Sequence, residues 1–311
     1  MLPVLVTGAS GFCGHHLVRR LLREREVRLC GVGRHLAAMA EDARVDRRVV
    51  DMRDAGAVDD LVKAVRPRWV FHLAGLASGS ASDLFAANAL GTVNVLAAVQ
   101  RHAPEARVIL TGSAAEYGEI GPDQVPVREE QPCHPRGPYG ISKFAATLVA
   151  LDYARRAEMN VLIARLFNVV GAGVPRTLVV GAVIERILAA SRAGASPIVF
   201  VGNVDTERDF IAVDDVVDAL VDMAKSNRSG EIMNICSGEP RSIRSVLASL
   251  LAHAPKPIET RVDPSLIRPD DVKVVYGSNA RAREAFGFVP RVSLDASLKA
   301  AFRAASSGTV S

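Results

Sequence analysis

Cysteine is scarce in this sequence: Cys13, Cys30, Cys133 and Cys236 are the only four in 311 residues, far apart and with no CxxC pair. Neither a zinc site nor a disulfide framework is spelled out, so no metal is expected and a reducing, cytoplasmic setting fits. Charge of one sign is also lacking. The 38 basic and 34 acidic residues leave a net +4, too small and too scattered for a nucleic-acid footprint, and no nucleic-acid partner is expected. Lysine supplies only 6 of the basic residues and arginine 32. Arginine's planar fork suits phosphate oxygens, yet so many arginines carry no message as a set and must be judged singly. Long apolar runs are missing too. None approaches the ~18 residues of a membrane span, and Met1 to Gly8 lacks the basic segment and long apolar run of a signal peptide. What remains is ordinary: 49% hydrophobic and 23% charged, enough chain for one large domain or two at ~150 residues each. A fibrous, disordered or peptide-sized molecule is excluded.

Short apolar runs alternate with amphipathic stretches. Leu2 to Thr7, Val27 to Val32, Val45 to Val50, Trp69 to Leu73, Arg107 to Thr111 and Asn160 to Leu166 read as strands. Between them, Phe12 to Glu24, Ala55 to Val65, Asp83 to His102 and Tyr139 to Ala157 read as helices. This alternation predicts the α/β class, a doubly wound, Rossmann-like parallel sheet covered on both faces. Beyond about Val170 the rhythm loosens into a smaller C-terminal α/β unit: helix Thr177 to Ala193, strand Ile198 to Val201, helix Val213 to Lys225, strand Glu231 to Cys236 and helix Ser242 to His253. The expected division assigns residues 1–170 plus about 209–228 to a dinucleotide-binding domain. Residues from about 171 to 208, plus 229–311, form a substrate-binding one.

Thr7-Gly8-Ala9-Ser10-Gly11-Phe12-Cys13-Gly14 follows the first strand and opens a helix. Its glycines permit a tight turn and the close approach of a pyrophosphate, which the helix N-terminus then faces. An NAD site places a carboxylate near the end of the second strand to hold the ribose hydroxyls, but here the run is Cys30-Gly31-Val32-Gly33-Arg34. Arg34 offers a cation for a 2′-phosphate instead, which favours NADP(H) as cofactor. Asp51 and Met52 are placed to meet the adenine, and Leu73, Ala74 and Gly75 to line the cofactor at the fourth strand end.

Tyr139 and Lys143 stand at i and i+4 on one helix face. The lysine charge is expected to lower the tyrosine pKa, letting the phenol exchange a proton with a carbinol or carbonyl oxygen. Ser113, ending the fifth strand, supplies a second hydrogen bond to that oxygen. Glycine turn, strand-end serine and Tyr-Lys pair, in this order, together make a strong signal where each alone is weak.

With these residues the chain resembles the extended short-chain dehydrogenase/reductase family, whose Ser, Tyr and Lys triad falls on Ser113, Tyr139 and Lys143. Gly202 to Phe210, Asn234 to Gly238 and Arg268 to Val272 are similar to the GDP-mannose 4,6-dehydratase and GDP-4-dehydro-6-deoxy-D-mannose reductase branch, and His134 to Tyr139 looks closest to the reductases. The resemblance implies that Asn168, Arg208 and Arg268 hold the nucleotide diphosphate of a GDP-sugar, for which arginine forks are apt. Salt bridging of Arg208 or Arg268 to Asp209 or Asp271 is the alternative. The resemblance also implies a homodimer, packed through Asp83 to His102 and Tyr139 to Ala157 as a four-helix bundle; the alternative is that both helices merely cover the sheet.

A 4,6-dehydratase needs a carboxyl acid/base close to the serine or threonine; the resembling dehydratases carry it two residues after, where Ser113-Ala114-Ala115 offers methyl groups. Glu116 stands one position further, on the opposite face of an extended segment unless the chain kinks. Reduction needs hydride, a proton donor and NADPH, and the expected reaction is reduction of the C4 ketone of a GDP-4-keto-6-deoxyhexose to GDP-rhamnose or GDP-6-deoxytalose. An NDP-sugar 4-epimerase, which keeps NAD bound, is the main competitor, and Arg34 argues against it. A non-catalytic cofactor-sensing protein would be expected to drop Tyr139 or Lys143.

Overall fold

The computed structural model describes residues 1–34, 42–192, 197–267 and 272–307. In chain order its elements are β1 (Leu2–Thr7), α1 (Phe12–Leu21), β2 (Val27–Gly33), β3 (Val45–Val49), α2 (Ala55–Val65), β4 (Trp69–His72), α3 (Ala81–Leu84), α4 (Gly91–His102), β5 (Arg107–Ser113), α5 (Gly137–Arg156), β6 (Val161–Leu166), β7 (Asn168–Val170), α6 (Val179–Arg192), β8 (Ile198–Val201), β9 (Glu207–Ala212), α7 (Val213–Lys225), β10 (Glu231–Ile235), β11 (Pro240–Ser242), α8 (Ile243–Leu251), β12 (Glu259–Val262), β13 (Val274–Val275), α9 (Ala280–Phe286) and α10 (Leu294–Ser306).

Strand β1 shows why the first half folds as it does. Its side chains alternate between faces: Val4 and Val6 join Leu17, Leu21, Val216 and Leu220 from α1 and α7. Leu5 points the other way, into Val58, Val62, Val95, Val99 and Ala146 from α2, α4 and α5. Each such fully buried Val or Leu contributes roughly 1.5–3 kcal/mol. The resulting seven-stranded sheet runs β10-β6-β5-β4-β1-β2-β3, with every pair parallel. The strand order reverses between β1 and β4, so a crevice opens at their carboxyl ends.

Two elements differ from the sequence expectation. Glu231 to Ile235, placed with the second unit on sequence, extends the central sheet beside β6, with Ile235 level with Leu166. A crossover through α7, packed on α1, returns the chain to that edge, where Met233 and Ile235 are buried. The helix expected from Asp83 to His102 is α3 and α4 joined by a π-helical turn, Phe85–Leu90. The run Ala81–His102 is long and apolar enough, by length and composition, to cross a membrane, but here it packs against α2 and α5 inside the domain.

Apart from α9, whose Ala282 packs in the first core, the remaining elements contribute to a second core around Val180, Ile184, Ile187, Phe210, Leu250 and Phe302. In it β9 pairs with β11, β13 and β7, and β8 pairs with β12. Asp209 ties this lobe together: its buried carboxylate accepts from the amides of Ser237, Gly238 and Gly277.

Candidate active site

The glycine turn after β1 is as tight as the sequence implies. Gly8 has φ +70°, and a Cβ there would lie 2.7 Å from the Ala74 amide nitrogen. A Cβ on Gly14 would lie 2.0 Å from the Gly8 carbonyl oxygen. Helix α1 therefore starts hard against the turn, with no side-chain cap and no acidic residue in its first turn. Its leading amides are left to an anion.

One cleft gathers most of the residues expected around a dinucleotide: Gly8, Ser10, Gly11, Arg34, Asp51, Met52, Leu73, Ala74 and Gly75 all line it, together with Arg53 and Leu76. Phe12, Gly14, Tyr139 and Lys143 do not. Phe12 stacks edge-to-face on His16, and Gly14 is buried beneath the turn. At the far end, Arg34 follows the last residue of β2 and is exposed. The Arg53 guanidinium grips Asp51 through Nε and Nη2 and holds its carboxyl below the usual range. Asn94 of α4 fixes the neighbouring loop by donating to the Met52 carbonyl at 2.9 Å. A dinucleotide with an added phosphate suits this donor set: free helix amides at one end, cations at the other.

Behind the cleft runs a directional hydrogen-bond chain. Thr92 Oγ1 donates to the Asn88 carbonyl at 2.6 Å, so it accepts from His72 Nε2, 3.2 Å away. His72 Nδ1 then accepts from Thr7 Oγ1 at 2.7 Å, and Thr7 Oγ1 accepts from the Ala74 amide. Burial pushes His72 down to about 3, keeping it neutral. The chain joins the ends of β1 and β4 to the π-helical turn. There the Asn88 side chain bonds Leu76 through both amide and carbonyl and donates to Ser142 Oγ at 2.9 Å.

Ser113, Tyr139 and Lys143 come together where β5 ends against α5. A Cβ on Gly140 would lie 2.7 Å from the Ala115 carbonyl oxygen, so a glycine next to Tyr139 lets α5 seat on this turn. Burial pushes the Tyr139 phenol up, and its hydrogen bond with Ser113 offsets part of the rise. The expected lowering by Lys143 is not what the structure shows. Lys143, itself buried and pushed down by desolvation, gives its ammonium to the Thr111 carbonyl. Tyr139 is accordingly a phenol that keeps its proton at neutral pH.

Glu116 overturns the expectation of an extended segment. Ser113 caps a 3-10 turn, Ala114–Glu116, and the Glu116 carboxylate folds back to accept from the Ser113 amide at 2.7 Å. It is fully buried and ion-paired with Arg165 at 2.8 Å.

Residues 4–236 match the NAD dependent epimerase/dehydratase family. The chain belongs to that family. It is 29% identical over 302 residues to the GDP-6-deoxy-D-mannose reductase of Pseudomonas aeruginosa, covering 96% of this chain and 95% of that protein. It is 31% identical over 312 residues to the probable UDP-arabinose 4-epimerase 3 of Arabidopsis thaliana, covering 89% of this chain and 74% of that one. The solved structure of RMD from Pseudomonas aeruginosa complexed with NADPH superposes with a TM-score of 0.84 at 28% identity, over 99% of this chain and 100% of that chain.

In this member of the epimerase/dehydratase family, two of the three expected diphosphate contacts fall on the paired strands β7 and β9. Asn168 pairs with Phe210 across β7 and β9, two residues beyond the Leu166 that is level with Ser113, and its Nδ2 donates to the Asp209 carbonyl at 2.7 Å. Arg208 stands two residues before Phe210 and donates to the Glu207 carbonyl. Arg268 lies outside the described residues. Sequence reasoning passed over Arg53, Asn88 and Arg165. Arg53 was within reach as the neighbour of Asp51-Met52, and Ser113-Ala114-Ala115-Glu116 carries the S-x-x-E signature of a capping box. Nothing local marks Asn88 or Arg165.

Proposed function

We propose that the protein uses NADPH to reduce the C4 ketone of a GDP-4-keto-6-deoxyhexose, giving a GDP-6-deoxyhexose. The observation that carries this reading is the far end of the cleft, where Arg34 and Arg53 face the site and the carboxylate of Asp51 is already neutralised. A 2′-phosphate is favoured there and an adenosine ribose diol gains no acceptor, so the coenzyme is the one used for net reduction. The likeness to a GDP-6-deoxy-D-mannose reductase supports the same reaction class.

When bound, NADPH supplies the hydride for C4. Tyr139, held as a phenol by its burial, donates the proton to O4. Ser113 is proposed to orient that oxygen, and Lys143, on the same helix face as Tyr139, to turn from the Thr111 carbonyl to the nicotinamide ribose. Asn168 and Arg208, with Arg268, are proposed to hold the diphosphate. Ala114 and Ala115 have no side-chain group that can transfer a proton, and Glu116 is ion-paired with Arg165, so the residues next to Ser113 offer no free acid/base for dehydration.

The test is incubation with GDP-4-keto-6-deoxymannose and NADPH, with UDP- and dTDP-linked ketones alongside. Loss of reduced nicotinamide matched by a product two hydrogens heavier, with GDP preferred, is the expected result. The 31% likeness to a UDP-arabinose 4-epimerase favours a second reading. Interconversion of a UDP-sugar without net NADPH loss would establish that one instead.

A homodimer belongs to the same proposal. Phe85 and Leu90 on the π-helical turn, and Ile141 and Leu148 on α5, are large apolar side chains left exposed on neighbouring elements. A second copy covers them.

A further inference from the structure

One carboxylate beneath the reaction centre touches three elements at once. Glu116 Oε1 accepts from the Ser113 amide at 2.7 Å. Oε2 accepts from Thr147 Oγ1 at 2.9 Å, one helical turn beyond Lys143 on α5. The same Oε2 accepts from Arg165 Nε at 3.1 Å and Nη2 at 2.8 Å, from the neighbouring strand β6. Arg165 is in turn fixed by the Tyr117 ring, whose centroid lies 4.4 Å from the guanidinium carbon. The Tyr117 hydroxyl donates to Asn234 on β10 at 2.7 Å.

Stability alone does not account for this arrangement. Glu116 and Arg165 are 0% and 1% exposed, and two charges withdrawn from water are often replaced by well-packed apolar side chains at no loss. Arg165 Nη1 has no hydrogen-bond partner among the described residues, so the pair is not even fully satisfied. Directional bonds do what apolar packing cannot: they set the angle of the Ser113 backbone relative to the helix carrying Tyr139 and Lys143.

We propose that Glu116, clamped by Arg165, is a positioning residue that holds Ser113 and helix α5 in the mutual geometry the reaction requires. This rests on the reading of Ser113, Tyr139 and Lys143 as the catalytic set. Neither Glu116 nor Arg165 touches substrate in this role; both act through Ser113 and Thr147. Removing one charge alone strands the other in the core, so informative variants change both.

The apolar pair Glu116→Leu/Arg165→Met removes the acceptor and both charges. The pair Glu116→Gln/Arg165→Met removes the charges but keeps an oxygen for the Ser113 amide, while the Thr147 hydroxyl turns to accept from the new amide. The apolar pair should fold, keep the wild-type dissociation constant for NADPH and KM for the ketone within about twofold, and lose kcat by roughly 10- to 100-fold, the scale of a small misplacement. Hydrogen exchange at the Ser113 amide should speed up in it. The glutamine pair should restore kcat to within about threefold and restore amide protection. Wild-type kcat in a folded apolar pair overturns the proposal. Should that pair fail to fold, Thr147→Val removes one donor without stranding a charge, and its kcat should fall about threefold or more; an unchanged kcat there also overturns it. Tyr139→Phe serves as the control. If it stays active, the catalytic reading has failed; if it is inactive while the apolar pair keeps kcat, only the positioning role has failed.

Discussion

Arg53 reaches Asp51 Oδ2 through both Nε, at 2.9 Å, and Nη2, at 2.6 Å, on the rim of the cleft that also contains Arg34. The pair decides the sign of the charge a coenzyme meets there. Asp51 is the acid at the end of β3, and with Arg53 upon it the carboxylate neither repels a phosphate nor accepts freely from ribose hydroxyls. In the proposed reading Arg34 is then left to the 2′-phosphate. Arg34→Ala should weaken NADPH by about tenfold to a hundredfold, the size of one charge-assisted hydrogen bond of ~1.5–3 kcal/mol, and leave NADH nearly unchanged. Gly33→Asp/Arg34→Ala should reverse the preference. Titrating both coenzymes against each protein measures this, and equal weakening of the two would make Arg34 an ordinary surface arginine.

Tyr139→Phe removes the only proton its ring can give. Turnover should drop by ~100-fold or more, with NADPH affinity retained, because general acid catalysis contributes 10²–10⁴. Retention of near-wild-type turnover would remove Tyr139 from the proton-donor role.

His72 makes stability depend on pH in a defined direction. Its folded-state value, pushed down to about 3 by burial, lies below the ~6.5 of an unfolded chain. The unfolded state therefore binds the extra proton between those limits. The stability contributed by neutral His72 is complete above about pH 6.5 and is lost as pH falls toward 3, by up to ~1.4 kcal/mol per pH unit. His72→Gln, which keeps a donor and an acceptor, should flatten the fall of Tm between pH 6.5 and 4. An unchanged slope would mean that other groups set the acid sensitivity.

Ile141 and Leu148, seven residues apart on α5, share the exposed apolar face assigned to a second copy. Leu148→Glu should give a monomer at micromolar concentration by light scattering, with the fold intact by circular dichroism. A wild-type protein that is already monomeric would dispose of the dimer.

In the proposed reading Ala115 stands where the resembling dehydratases carry their acid/base. GDP-mannose with NADP⁺ should therefore show no loss of water by mass spectrometry. Accumulation of the dehydrated ketone would mean that Glu116 leaves Arg165 during turnover.

Local order sufficed for much of the protein. The continuous apolar run of β1, the apolar stripes of α1 and α2, the glycine turn, and the Tyr139-Lys143 spacing each depend on residues within one or two turns of one another. Backbone sterics and hydrogen bonding act at that range, so the doubly wound sheet and the glycine turn were legible. Periodicity reports that a face is buried, not what buries it. The place of Glu231 to Ile235 at the β6 edge depends on where the crossover through α7 returns. The π-helical turn depends on Asn88 finding Leu76 and Ser142, which lie 12 and 54 residues away. The Glu116–Arg165 pair joins residues 49 apart, made neighbours only because β5 and β6 lie in register with Ser113 beside Leu166. Burial in turn pushed Tyr139 up and Lys143 and His72 down, since desolvation depends on the whole surrounding fold. Sequence alone determined which groups stand as candidates for the reaction centre; tertiary structure decided how deeply they are buried and what holds them in place, because both depend on contacts between distant segments.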